Sequence, residues 1–96
     1  MPTLGEHSNV YNTALLVVRR KGFQVWYDEA GKYYGAERDG WDFFSESPAG
    51  LLGLIAIYEE KHPTEWTDYW WREQEPFILR TLPKTPQPYA SVMEKH

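Results

Sequence analysis

Residues 23–48 read FQVWYDEAGKYYGAERDGWDFFSESP, and this stretch decides the fold. Three short runs, Phe23–Tyr27, Lys32–Glu37 and Trp41–Ser45, are rich in aromatic residues that suit a pleated, half-buried surface. Turn chemistry separates them. Asp28-Glu29-Ala30-Gly31 ends in a glycine that can supply positive φ. Arg38-Asp39-Gly40 contains Asp-Gly, the strongest short-range hairpin signal. Turn signals about ten residues apart describe an antiparallel meander. Because side chains alternate along a strand, Phe23, Val25 and Tyr27 share one face and Gln24 and Trp26 the other. One of Trp26 and Trp41 is expected on the face away from the helices.

Outward from the meander, both flanks read as helices. On the N-terminal side the reading is a helix over residues 9–21. Ser8 is expected as its N-cap, accepting from a free first-turn N–H. Val10, Ala14, Val17 and Val18 recur at helical spacing, widened by Tyr11 and Leu15. Arg19, Arg20 and Lys21 suit the negative end of the helix dipole, and Gly22 suits a left-handed stop. On the C-terminal side Ser47 is a good N-cap, and Pro48 sits at the first helical position, where its missing N–H is no loss. The body carries Leu51, Leu52, Leu54, Ile55, Ile57 and Tyr58 nearly all round the axis, which predicts burial on most sides. Gly50 and Gly53 each cost about 1 kcal/mol relative to Ala, and close approach to the sheet is the expected reason. Pro63 ends the helix.

Beyond Pro63 the pattern loses its period. Trp66, Tyr69 and Trp70 fall at i, i+3 and i+4, which favours a short helix, although residues 67–71 also carry high β propensity. Phe77–Leu82 reads as a short edge strand. From Pro83 the chain, PKTPQPYASVMEKH, is too proline-rich for helix or central strand. It is expected to be an extended arm, disordered in part. The expected architecture is therefore α+β: an N-terminal helix, a three-stranded meander, a second helix buried on the sheet and a short mixed region. It forms one domain over residues 1–82 with an arm at 83–96.

Composition narrows the chemistry. Five Trp, seven Tyr and four Phe in 96 residues provide the large apolar groups that a small core needs. The chain has no cysteine, which removes disulfides, thiolate metal sites and thiol nucleophiles and leads us to expect a reducing, cytoplasmic setting. The N-terminal residues do not read as a signal peptide. No apolar run approaches the ~20 residues that span a bilayer, so no membrane partner is expected.

The net charge of −4 is unevenly spread. Residues 1–27 and 76–96 each carry +2, which leaves −8 on residues 28–75. An acidic centre argues against nucleic acid, which needs a basic footprint. It suits a basic protein partner.

Catalytic patterns are weak. Glu59-Glu60-Lys61-His62 contains Glu-x-x-His, but no second copy exists to complete a di-metal site. His7 and His96 have no partner at ligand spacing, and His62 reads as a last-turn histidine. There is no Gly-x-Ser-x-Gly elbow and no phosphate loop. Asp28 with Glu29 and Asp39 with Asp42 are paired carboxylates, but they stand beside turn residues in a chain with little room for a cleft. Neither an enzyme nor a cofactor is expected.

Binding remains. Residues 65–72, EWTDYWWR, place Trp66, Tyr69, Trp70 and Trp71 among alternating charges, and Trp, Tyr and Arg dominate binding hot spots. The expected contact surface is Trp66, Tyr69, Trp70 and Trp71 as anchors, with Glu65, Asp68, Asp39 and Asp42 pairing with a basic partner. Asp28 and Glu29 are expected to add to the steering. The expected role is a non-enzymatic protein-binding module, in its most concrete form an immunity- or antitoxin-like inhibitor of a basic protein. The alternatives are a small-ligand or carbohydrate-binding domain using the same aromatics, and a homodimeric structural protein.

Overall fold

The structure, a computed structural model, describes residues 3–94. His96 and the end of the expected arm lie outside the described residues. The order of elements is a 3-10 turn (Ser8–Val10), α1 (Tyr11–Arg20), β1 (Gln24–Asp28), β2 (Tyr33–Arg38), β3 (Trp41–Ser45) and α2 (Pro48–Lys61), with a second 3-10 turn at Val92–Glu94. This is the α+β architecture read from the sequence. Contacts divide the described residues into two compact units, 6–71 and 72–94 with 3–5. All the helices of regular α type and the whole sheet belong to Glu6–Trp71.

The sheet is an antiparallel meander in the order β1-β2-β3. Its register is pinned at the second hairpin, where Arg38 faces Trp41 across a two-residue turn. Asp39 (φ 54°) and Gly40 (φ 85°) both take left-handed conformations, the twist that a two-residue hairpin requires. The Glu37 carboxylate accepts from the Gly40 N–H at 2.9 Å and from the Gln24 side-chain amide at 2.8 Å. These bonds hold its carboxyl below the usual value, the Gly40 contact first.

The first turn differs from the expectation. Lys32, not Gly31, has positive φ (57°). Asp28 closes this turn by accepting from Gly31 N–H through its side chain at 2.6 Å and from Lys32 N–H through its carbonyl at 2.7 Å. Gly31 is needed for space: a Cβ there would lie 2.7 Å from the Asp28 carboxylate and 2.5 Å from the Tyr33 ring.

The core lies between one face of the sheet and the two helices. Val18, Phe23, Ala36, Phe43, Leu51 and Ile55 are buried together, with Leu15, Val25, Tyr34, Trp41, Leu52, Tyr58 and Trp70 packed around them. Fully burying a side chain such as Leu51 or Ile55 stabilises by about 1.5–3 kcal/mol. Tyr58 ties the aromatic part together, meeting Phe43 at 5.3 Å, Trp41 at 5.5 Å and Trp70 at 6.2 Å between centroids. The Arg38 guanidinium lies over the Phe23 ring at 4.5 Å, a cation–π contact that closes the sheet end of this cluster.

The helix boundaries follow local chemistry, with two corrections. Ser8 does not cap α1. It lies inside the 3-10 turn, and Val10 occupies the N-cap with no side-chain bond. Gly22 takes φ 94° and donates to Arg19 O at 2.9 Å, as a helix stop should. Ser47 does cap α2, its hydroxyl accepting from Gly50 N–H at 3.0 Å. His62, in the left-handed conformation, forms the C-cap before Pro63. The second correction concerns burial. Only Pro48, Leu51 and Ile55 of α2 are fully buried, while Leu54 and Ile57 remain 39% and 44% exposed. A three-stranded sheet and one partner helix cover one flank of α2. The other flank stays open although its residues are apolar.

The glycines of α2 divide in the same way. A Cβ on Gly50 would collide with the Ser45 hydroxyl, so the close approach expected there is present. At Gly53 a Cβ would meet nothing within 4 Å, so close approach does not explain that residue.

The expected short helix over Trp66–Trp71 is absent. Residues 68–71 form a turn in which Trp70 N–H donates to Thr67 O at 3.2 Å, and Tyr69 takes positive φ (57°). That conformation is incompatible with a helix. Phe77–Leu82 is not a strand either. Ile78 O accepts from both Thr81 N–H (2.9 Å) and the Thr81 hydroxyl (3.2 Å), which makes a turn.

Candidate functional site

An apolar groove of about 420 Å³ is lined by Asp42, Phe43, Phe44, Leu54, Ile57, Trp70 and Trp71. Three local features build it. Among the described residues β3 pairs only with β2, so one edge of the strand has no neighbouring strand. Phe43 points into the core at 8% exposure, and the next residue, Phe44, points to the opposite face at 67%. Leu54 and Ile57 are three residues apart on α2 and therefore share a helix face. The turn at 68–71 brings Trp70 and Trp71 to the same groove.

Trp70 is the fixed part of that turn. It packs edge-on against Trp41 at 5.5 Å and Tyr58 at 6.2 Å, contacts worth about 0.5–1.5 kcal/mol each beyond burial. Trp71 remains 49% exposed beside it and meets Tyr69 edge-on at 6.0 Å.

Of the residues expected at a contact surface, the groove unites Asp42, Trp70 and Trp71. Trp66 (69% exposed), Tyr69, Glu65 and Asp68 stand on the segment between α2 and Trp70 and do not line it. Asp39 sits at the tip of the β2–β3 hairpin, its side chain 86% exposed and 3.9 Å from the Arg38 guanidinium. Among the rings, Trp70 is the one drawn into the core.

Sequence reasoning missed Phe44, Leu54 and Ile57. The signal for Phe44 was present: alternation in β3 puts it on the face opposite Phe43. Leu54 and Ile57 could not be separated from the buried positions of α2, because the helix is apolar on every side.

The opposite face of the sheet has a smaller aromatic strip. Trp26 lies across Gly35, where a Cβ would come within 2.7 Å of the indole nitrogen. Phe44 meets Tyr33 at 5.1 Å on this same face. Trp26 is thus the strand tryptophan that faces away from the helices, and Trp41 packs toward them.

A second, more polar pocket is lined by Arg38, Tyr58, Glu59, His62, Pro63 and Thr64. Glu59 and Arg38 already have partners outside the pocket lining. The Lys21 ammonium bonds both Glu59 oxygens, at 2.9 and 3.0 Å, and Arg38 bonds the Lys21 carbonyl. This pair staples the end of α1 to α2. Among the described residues, no group of three or more His, Cys, Asp or Glu side chains could hold a metal ion. No helix among them is long and apolar enough to cross a membrane.

Compared with protein-family models, curated proteins and solved structures, the chain matches none.

Proposed function

We propose that this protein is a protein-binding module whose contact surface is the groove between the free edge of β3 and the open flank of α2, and whose partner presents a basic, apolar segment. The observation that carries the reading is the co-location of Phe44, Leu54, Ile57 and Trp71 in one exposed groove with Asp42 among its lining residues. Exposed apolar residues gathered in this way mark interaction sites far more often than scattered ones do. A strand edge with no neighbouring strand among the described residues suits an extended segment, which can add as a further strand while its side chains fill the groove. The charge of −8 on residues 28–75 favours lysine and arginine on that segment and speeds its encounter. Inhibition of a basic protein, as an immunity protein or antitoxin does, is the most concrete form of this role.

The groove also has the size of a small-ligand site, for which about 300–1,000 Å³ is usual. Its lining favours an apolar occupant over a sugar. Asp42 is the one charged residue among the seven that line it, whereas a carbohydrate needs several polar groups to fix its hydroxyls.

The test is comparative capture. Immobilised wild-type chain and an Ile57→Asp variant are exposed to extract of the native host at low and high salt, and any retained protein is purified and rebound. The reading predicts a basic protein that binds the wild type at low salt, weakens at high salt and fails on the variant. Equal retention by both proteins, or retention indifferent to salt, contradicts it.

A further inference from the structure

Residues 77–82, Phe-Ile-Leu-Arg-Thr-Leu, combine strand-forming composition with exposure. Phe77, Ile78, Leu79 and Leu82 are all more than half exposed, and only a single turn at Ile78–Thr81 organises them. The segment's one charge is Arg80, whose guanidinium lies over the Phe77 ring at 5.5 Å. Residues 76–96 carry +2 against −8 on residues 28–75. The chain thus contains both halves of one recognition scheme: an apolar groove in an acidic region beside a free strand edge, and a β-prone apolar segment in a basic region.

We infer that residues 77–82 of one copy add as a strand to the β3 edge of a second copy and set their apolar side chains into its groove. This inference rests on the reading of the groove as a docking site and names an occupant for it. Leu and Ile side chains of the segment fill the space between Phe44, Leu54, Ile57 and Trp71, and Arg80 supplies the charge for Asp42. The exchange is reciprocal. Closed as a two-fold dimer, the assembly fills both grooves, whereas a head-to-tail exchange leaves one groove open at its end. In such a dimer a foreign basic strand must displace the other copy's segment before it enters the groove.

Sedimentation of the full chain over a range of concentrations, at low and high salt, tests the inference, with Ile57→Asp altering the groove and Ile78→Asp altering the segment. Both side chains are exposed in the single chain, so the variants are expected to keep the fold. Circular dichroism checks this, and Leu54→Asp and Leu79→Asp replace any variant that does not fold. The wild type is expected to form a dimer that weakens with salt. Each variant alone is expected to weaken it by about tenfold or more, as loss of a central contact does. An equimolar mixture of the two variants is expected to recover dimer, because one intact groove then meets one intact segment. A wild type that stays monomeric at every concentration, a dimer that survives either substitution, or a mixture that does not recover overturns the inference. Its failure is separable from that of the docking reading. Monomers that still capture a foreign basic protein refute only the self-association, and dimers that capture none refute only the foreign partner.

Discussion

Trp41 and Trp66 stand at the two extremes of this molecule's use of aromatic residues. Trp41 opens β3, packs on Tyr58 and Trp70 at 5.5 Å each, and belongs to the shell of the core. Trp66 lies between α2 and the turn at 68–71, is 69% exposed and joins no regular element. The residue type is the same, and both residues stand in aromatic-rich stretches of the sequence. What differs is the backbone. In β3, pairing with β2 fixes which side of the chain each ring occupies. After Pro63 no strand ladder exists among the described residues to assign faces, and a ring packs on the core only where the turn delivers it, as it does for Trp70. Regular backbone pairing assigns each ring a face, inward for Trp41 and outward for Phe44, and apolar composition alone does not.

That comparison breaks most severely at the centre of the core. Ile55→Ala removes a fully buried side chain of α2 and is expected to cost about 2–5 kcal/mol in urea unfolding. Trp66→Ala, although it deletes a larger side chain, is expected to stay within about 0.5 kcal/mol of wild type. Comparable losses for the two would refute the division. Trp70→Ala should fall between them at about 2 kcal/mol, since its ring is half-buried and loses edge contacts with Trp41 and Tyr58. An effect as small as that of Trp66 would detach the turn from the core.

The two glycines of α2 sharpen the same point within one element. Gly53→Ala enters open space and should raise stability by up to about 1 kcal/mol through helix propensity alone. Gly50→Ala meets the Ser45 and Ser47 hydroxyls and should gain nothing or destabilise. Thermal melts of the pair decide it; equal gains would mean that the helix start does not pack closely on the end of β3.

The smallest expected effect is on pH dependence. Glu37 is held below its ordinary value by the Gly40 N–H and then by the Gln24 amide. A carboxyl lowered by folding contributes stability that is present above the unfolded value. That contribution is lost as pH falls through the ordinary carboxylate range toward the folded value. Glu37→Gln should therefore lose less stability than wild type on acidification across that window. Identical acid profiles would show that the hairpin bonds do not favour the ionised carboxylate.

Legibility in the sequence followed the same physics. Asp39-Gly40 and Ser47-Pro48 were readable because turn and cap chemistry is local: each needs only neighbouring backbone groups. Trp41–Ser45 was readable to the residue because alternation and the hairpin agree. The groove was legible only in part. Asp42, Trp70 and Trp71 stood out by type, but Leu54 and Ile57 could not, because their exposure depends on how much of α2 a three-stranded sheet can cover. The spacing of Trp66, Tyr69 and Trp70 suggested a helix that the left-handed Tyr69 interrupts, and no local pattern marks that reversal. The strand composition of Phe77–Leu82 has no partner strand among the described residues, and strand propensity without a partner makes no strand.

The most direct measurement of the central claim is a map of where a basic apolar strand touches the molecule. A synthetic peptide of alternating apolar and Lys/Arg residues is titrated into isotope-labelled full chain at low salt, and side-chain resonances are followed. The account predicts saturable shifts confined to the Leu54 and Ile57 methyls, the Phe44 ring and the Trp71 indole, with matching changes in the β3 amides. Shifts centred instead on Trp66 and Tyr69, on Trp26 and Tyr33, or absent throughout would contradict it.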